Sequence, residues 1–325
     1  DTSHDFNSDD DLSIEAKAEL EDFKGFLRDL IMHGAVGTAL GGVCTIVGEP
    51  QNLLIAGVVG WDFIEFVIAM APVTMPVFFA GVITCFAIER YKLAGFGHQL
   101  PDSIRQIFID YDQYESSQKT DIQRAELYVE FIVLLFLIAA LALHLAAVGI
   151  IGLAVIILLT SFKGITDEHD LGPAFKEALP FTALLAVFFA IVSVIHDQHL
   201  FSPVIYYVLQ QDPAIQPSVF FMANGILSAI SDNVFVATIY INEINQVYLA
   251  GDIGRDQFEA LAVAVNTGTN IPSIATPNGQ AAFLFLLTSS LAPLINLSYM
   301  KMVKMALPYT IVLTIVGLYS ITYIL

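Results

Sequence analysis

Long apolar runs dominate the chain, and their lengths divide it. A helix needs roughly 20 mostly apolar residues to cross about 30 Å of hydrocarbon. Residues 66–89, 128–147, 180–196 and 305–325 come close to or meet that demand. Val148–Phe162 is shorter, follows His144 and a small-residue turn, and is expected to return through the bilayer. Three further stretches, 30–59, 218–241 and 259–290, are apolar but interrupted by polar and helix-breaking residues. Interrupted spans are tolerated only where the freed backbone is buried in protein or lines a water-filled cavity, so function is expected there. The pattern predicts an all-α membrane protein of about seven membrane-crossing helices plus a re-entrant hairpin at 218–241, with broken helices at its site.

Composition agrees. The 325 residues are 56% hydrophobic and 14% charged, against about 45–50% and 25% in a soluble domain. Thirteen Lys and Arg against 32 Asp and Glu leave a net charge of −19, which argues against nucleic acid, whose phosphates need basic partners. Cys44 and Cys85 both lie in apolar stretches, which excludes a disulfide-stapled secreted scaffold. Residues 1–29 hold ten of the acids and lack the basic start and apolar region of a signal peptide. They read as an acidic cytoplasmic linker, and the opening on Asp1 rather than Met is compatible with a fragment whose upstream part is absent.

The basic residues orient the chain. With 1–29 cytoplasmic and 30–59 crossing once, the loop 90–127 and the segment 163–177 are cytoplasmic, and 197–217 lies outside without Lys or Arg. If 218–241 enters and leaves on one side, 12 basic residues lie inside and one, Arg255, outside; a full crossing gives 11 and 2. Both tallies obey the positive-inside rule, and the first leans toward the hairpin. The resulting division is a linker at 1–29, a first broken helix and following span at 30–89, a cytoplasmic loop at 90–127 and a second half at 128–325.

One internal repeat stands out. Gly37-Thr38 is followed by Thr45 and Gly48, and Gly268-Thr269 is followed at the same spacings by Thr276 and Gly279. Both copies add prolines and amides, in Gly48-Glu49-Pro50-Gln51-Asn52 and Thr276-Pro277-Asn278-Gly279-Gln280. On the orientation above the copies run in opposite directions, the mark of an inverted-repeat secondary transporter with its site near the midplane. Close helix packing by small residues is the alternative.

Asp232, in Ser231-Asp232-Asn233 with apolar residues on both sides, is the sharpest chemical signal. An intramembrane carboxylate costs about 2.5–3.5 kcal/mol on insertion scales and is kept mainly for a function. It can hold a proton or a transient Na+, and Ser, Thr, Asn and backbone oxygens suit the same hard cation. The alternative is a helix cap. Glu49 is a second buried acid, either a cation or proton group or the partner of a basic residue. Thr45, Asn52, Asn266, Thr269, Asn270, Thr276 and Asn278 are candidate neutral ligands or supports, with Pro50, Pro277 and Gly279 shaping the breaks. His33 and His144 lie near span ends, where a hydrogen-bonded interfacial role competes with pH sensing. His169, His196 and His199 offer no zinc set, and no cofactor is expected.

At these residues the chain resembles a known family. VGTALGGVCTIVGEPQNLLIA (36–56), SAISDNVFVATIYINE (228–243), NTGTNIPSIATPNGQAAFLFLLTSSLAPLI (266–295), TDEHDLGPAF (166–175) and MALPYTIVLT (305–314) are similar to NhaB-type Na+/H+ antiporters of bacterial inner membranes. The resemblance implies exchange of cytoplasmic Na+ for external H+, with Li+ as an alternative cation, in a multi-pass protein for which a homodimer is one assembly. It makes Ser231-Asp232-Asn233 a hairpin tip and Thr276-Pro277-Asn278 and Gly48-Glu49-Pro50-Gln51-Asn52 the breaks of two discontinuous helices. It also implies a first-half hairpin with its own membrane aspartate, which has no counterpart here, so the chain resembles the C-terminal two-thirds of such a transporter. Na+-coupled uptake of a carboxylate or another anion, found in the same superfamily, is the alternative function. An enzyme is not expected, because no nucleophile and base pair up near Asp232.

Overall fold

The computed structural model describes residues 14–165, 167–198 and 202–325. The acids before residue 14, His199 and several side chains of 168–204, His196 among them, lie outside the described residues. Among the described residues the secondary structure is helical, without strands. In chain order the helices are α1 (Ile14–Gly42), α2 (Pro50–Val59), α3 (Phe63–Arg90), α4 (Asp102–Gln118), α5 (Asp121–Ala142), α6 (Val148–Phe162), α7 (Glu168–Asp197) and α8 (Ser202–Leu209). There follow α9 (Gln216–Ile230), α10 (Asn233–Leu249), α11 (Arg255–Asn270), α12 (Ala281–Thr288), α13 (Leu291–Leu294) and α14 (Tyr299–Tyr323). Two single 3-10 turns, Pro272–Ala275 and Pro277–Gly279, separate α11 from α12.

Local chemistry sets the helix ends. Asp62 with Glu65, and Thr120 with Gln123, form capping boxes that start α3 and α5 by satisfying amides that have no partner within the helix. Pro50 occupies the first turn of α2, where its missing N–H costs nothing. Helices α3, α5 and α14 are long and apolar enough to cross a membrane, and α2 and α6 are shorter apolar helices. The predicted span 180–196 falls inside α7.

Helix α3 has two faces. Phe66, Met70, Val73 and Val77 are buried at helical spacing, whereas Phe79, Ile83 and Phe86 are 63–74% exposed. Large apolar side chains turned outward along a whole helix suit a lipid-facing stripe. The buried face of α3 packs on Met302, Met305, Tyr309 and Leu313 of α14, and the core continues through Phe220 and Phe221 of α9 into Phe258, Leu261 and Val265 of α11.

Helices α9 and α11 run side by side in the same direction. Gln257 Nε2 donates to Gln216 Oε1 at 2.6 Å at their starts, and Ser228 Oγ donates to Thr269 O at 2.9 Å near their ends. Helix α10 begins at that far end and returns, joined to α11 by residues 250–254. The start of α9, the end of α10 and the start of α11 therefore share one end of the bundle. The two broken units run oppositely. Gln51, at the start of α2, meets Asn270, at the end of α11, and Arg28 of α1 donates to Ile295 O beyond α12 at 3.0 Å. Thus α1 runs toward the breaks from the end to which α12 leads onward.

The structure departs from the sequence pattern in three places. Residues 14–29, expected as linker, are helical and continuous with the first broken span; Leu20, Phe23, Leu27 and Ile31 give them an apolar stripe, and Arg28 and Asp29 are buried. The loop 90–127 contains α4, without a buried residue, which touches α1 through Ser103 to Glu19 at 3.0 Å and the Phe23 and Phe108 rings. The span expected to reach residue 147 ends at Ala142, where His144 takes a left-handed backbone (φ 51°) and turns the chain into α6.

Close approach between α9 and α11 depends on Gly268. A Cβ there would lie 2.6 Å from Phe221 O and 2.9 Å from its Cα, so backbone rather than a flexible side chain blocks it. Overpacking of this kind costs about 1–3 kcal/mol. Gly268→Ala is expected to lower the thermal unfolding temperature in detergent, while Gly57→Ala, where nothing lies within 4 Å, is expected to leave it unchanged or raise it.

Candidate functional site

Three chain breaks meet in the core. The first is the tip between α9 and α10. Ser231 leaves α9 with extended backbone and its Oγ donates to Leu227 O at 3.0 Å. Asp232 is the N-cap of α10, and its Oδ1 accepts from Val234 N at 2.9 Å and Phe235 N at 3.1 Å. Oδ2 takes no part in the cap. Asn233 is 1% exposed, and its side chain makes no hydrogen bond within the tip itself. The alternative weighed for Asp232, a helix cap, is therefore present in full, and one carboxylate oxygen is left over.

The second break joins α1 to α2. Gly48 crosses the end of α1 so tightly that a Cβ would overlap Gly42 O, and Glu49 is the N-cap of α2 with extended backbone and no side-chain cap bond. The Asn52 Nδ2 closes the break by donating to Gly42 O at 2.7 Å and Thr45 O at 2.8 Å. Thr45 thus contributes its carbonyl to the closure. Glu49 is turned to the tip: its carboxylate faces the Asn233 side chain, with Asp232 near enough to add a second negative charge.

The third break joins α11 to α12 through the two 3-10 turns. Thr276 Oγ1 donates to Ala229 O at 2.5 Å, which ties this break to the last turn of α9. Pro277 and Gly279 are buried, and a Cβ on Gly279 would lie 2.3 Å from Ser273 O and 2.8 Å from Ser228 O. Thr269 Oγ1 is engaged within α11, to Val265 O and Asn266 O. Asn270 Nδ2 donates to Asn266 O at 2.8 Å and reaches Asn52 Oδ1 at 3.4 Å, across to the second break.

The predicted residues sort by these distances. Ser231, Asp232, Asn233 and Glu49 come together, Asn52 joins Asn270, and Thr276 ties on through Ala229. Asn278 is exposed, away from the buried network, and Asn266 faces α3, its Nδ2 reaching Met70 Sδ at 3.4 Å. Sequence reasoning left out Gln51, Ser228, Ser273 and Gln280, all buried and all in the network. The amides that follow Pro50 by one residue and Pro277 by three were the signal that could have found the two glutamines. Among the described residues no group of three or more His, Cys, Asp or Glu gathers to hold a metal. A cation here would rest on one or two carboxylates and neutral oxygens, a set that suits hard ions.

His33 lies outside this meeting point. Its Nδ1 pairs with Tyr309 Oη at 2.7 Å and its Nε2 with Glu89 Oε1 at 2.8 Å, and its ring stacks on Phe96. Both ring nitrogens of His33 are therefore hydrogen-bonded. His144 and His169 are exposed.

A profile described as Bacterial Na+/H+ antiporter B (NhaB) matches residues 1–325. The chain belongs to the NhaB family. It is 61% identical to the Na(+)/H(+) antiporter NhaB of Saccharophagus degradans over 98% of this chain and 64% of that relative. Identity to the Shewanella pealeana protein of the same name is also 61%, over 98% of this chain and 60% of the relative. A third, from Vibrio campbellii, is 61% identical over 99% and 61%. The chain thus spans about three fifths of the length of these curated relatives. No solved structure matches it. Family and apolar helices together identify an α-helical membrane protein.

Side chains reach the carbonyls exposed at each break, and Asn52 bonds two of them. Asn52→Leu keeps the volume and strands Gly42 O, at about 1–3 kcal/mol, while Thr45 O keeps its bond from Gly48 N. A lower thermal unfolding temperature is expected in detergent, larger than that of Thr288→Val, whose hydroxyl donates only within exposed α12 turns.

Proposed function

We propose that the chain is the ion-handling part of a Na+/H+ antiporter in a bacterial inner membrane, exchanging cytoplasmic Na+ for external H+. Asp232 alternates between proton and Na+, with Glu49 beside it and Ser231, Asn233, Thr276, Asn52 and the Thr45 carbonyl lining or supporting the site. The observation that carries this reading is the convergence of Glu49 and Asp232 from two separate breaks within an apolar bundle. A carboxylate in such surroundings is held neutral by one proton or by one Na+, so the two cargoes exclude each other. That exclusion is the chemistry of antiport.

The geometry supports the rest of the reading. The shared end of α9, α10 and α11 suits a re-entrant hairpin at 218–241, and the opposed run of the two broken units suits an inverted repeat. The relatives named Na(+)/H(+) antiporter NhaB support the cargo. No Lys or Arg occurs in 30–59, 218–241 or 259–290, which favours a cation over a carboxylate as cargo. Movement of the breaks against the flanking helices, in an elevator or rocking step, then exposes the site to either side.

Asn caps helices as well as Asp does, so Asp232→Asn removes the charge and keeps the cap. In everted vesicles carrying the full-length protein, Asp232→Asn is expected to abolish Na+-dependent proton flux, and unchanged flux would overturn the assignment. Glu49→Gln is expected to retain exchange with an apparent Na+ affinity lowered about tenfold, equivalent to about 1.4 kcal/mol for loss of one nearby charge. Because proton and Na+ compete at Asp232, the apparent KM for Na+ is expected to rise as pH falls in the wild type.

A further inference from the structure

Two glutamines reach Asn270 from opposite breaks. Gln51 Nε2 donates to Asn270 Oδ1 at 2.8 Å, and Gln280 Nε2 donates to Asn270 O at 2.8 Å and to Ser273 Oγ at 3.0 Å. All four residues are 0–1% exposed. Backbone carbonyls fix which way each amide points. Asn270 Nδ2 donates to Asn266 O, so Asn270 Oδ1 is an acceptor and Gln51 must offer it nitrogen. Gln280 must likewise offer nitrogen to Asn270 O. The atoms left over are oxygens: Gln51 Oε1 and Gln280 Oε1 are both buried without a hydrogen-bond partner.

An unpaired buried polar atom is costly and calls for a physical reason. Here two occur on side chains that clasp one residue, both are oxygens, and the nearby acids belong to Glu49 and Asp232 instead. Amide oxygens are suitable ligands for a hard cation, and neutral ones bind it without releasing a proton. We propose that Gln51 and Gln280, clasped on Asn270, form a neutral oxygen site for Na+ between the two breaks, chemically distinct from the carboxylate site. The cation joins the two broken helices at the point where their amides already meet, and water completes its shell. The inference rests on the Na+ cargo proposed above, but its signature differs: Na+ bound by carboxylates competes with protons, and Na+ bound by the clasp does not.

The test is Na+-dependent thermal stabilisation of the purified full-length protein in detergent, with choline as the control ion, across the pH range in which protons and Na+ compete. The wild type is expected to show a saturable rise in Tm at alkaline pH and a smaller rise that persists at acid pH. Gln280→Leu removes one oxygen, and Gln51→Lys supplies a tethered ammonium that can still donate to Asn270 Oδ1 in the cation's place. Both are expected to lose the acid-pH rise and to keep the alkaline one. Absence of the acid-pH rise in the wild type, or its survival in Gln51→Lys, overturns the inference and leaves the oxygens to bound water. Asp232→Asn separates the two readings: it is expected to lose the alkaline component and keep the acid one. An alkaline component unchanged in Asp232→Asn defeats the carboxylate assignment and leaves the clasp standing.

Discussion

Interrupting a helix inside an apolar bundle frees carbonyl and amide groups that no water can reach, and each must find a partner within the protein. At the end of α1 the Asn52 side chain supplies that partner to Gly42 O and adds a second bond to Thr45 O, which also accepts from Gly48 N. At the start of α10 the Asp232 carboxylate does the same for Val234 N and Phe235 N. At the end of α11 Gln280 takes the carbonyl of Asn270, and Ser228 takes that of Thr269. The polar residues of the site are therefore the same ones that make its breaks possible. The oxygens gathered here are present because the backbone needed side chains to close it.

Packing then brings the breaks to one place. Gly268 admits Phe221 of α9 to backbone contact, and Gly225 sits against Pro272 just after α11. Without side chains at these positions α9 and α11 lie close enough for Ser228 to reach Thr269 and for Thr276 to reach Ala229. The small-residue alternative for the Gly-Thr repeat and the ion-site reading are thus compatible. The glycines set the spacing, and the hydroxyls and amides beside them use it. Around this interior, α3 and α14 bury one face and turn large apolar side chains outward on the other.

Much of this was legible in the residues. Asp232 between apolar runs marked the tip, and Pro50 and Pro277 marked the other two breaks, because a proline cannot continue the hydrogen-bond ladder of a helix. Asn52 and Asn270 were recognisable as amides in apolar spans. Residues 14–29 were harder, since their acids outnumber the apolar positions that carry α1 along the core. Helix α4 was hidden for a different reason: Ile104, Ile107, Phe108 and Tyr111 repeat at helical spacing, but the segment is polar overall and buries nothing. Gln51 and Gln280 stood in the two break motifs without a role, and nothing in the spacing says that both reach Asn270.

The sequence by itself determined the solvent of this protein, the positions of its breaks and the polar atoms within them, because hydrophobic length, proline and isolated acids act locally. Only the tertiary structure decided which breaks meet. Glu49 and Asp232 are 183 positions apart, and their proximity follows from α2 lying along α10 and α11. Likewise, which amide oxygens remain free depends on backbone carbonyls far along the chain that take the matching nitrogens. A hydrogen-bond inventory closes in space, so the leftover atoms, and the chemistry they permit, belong to the fold.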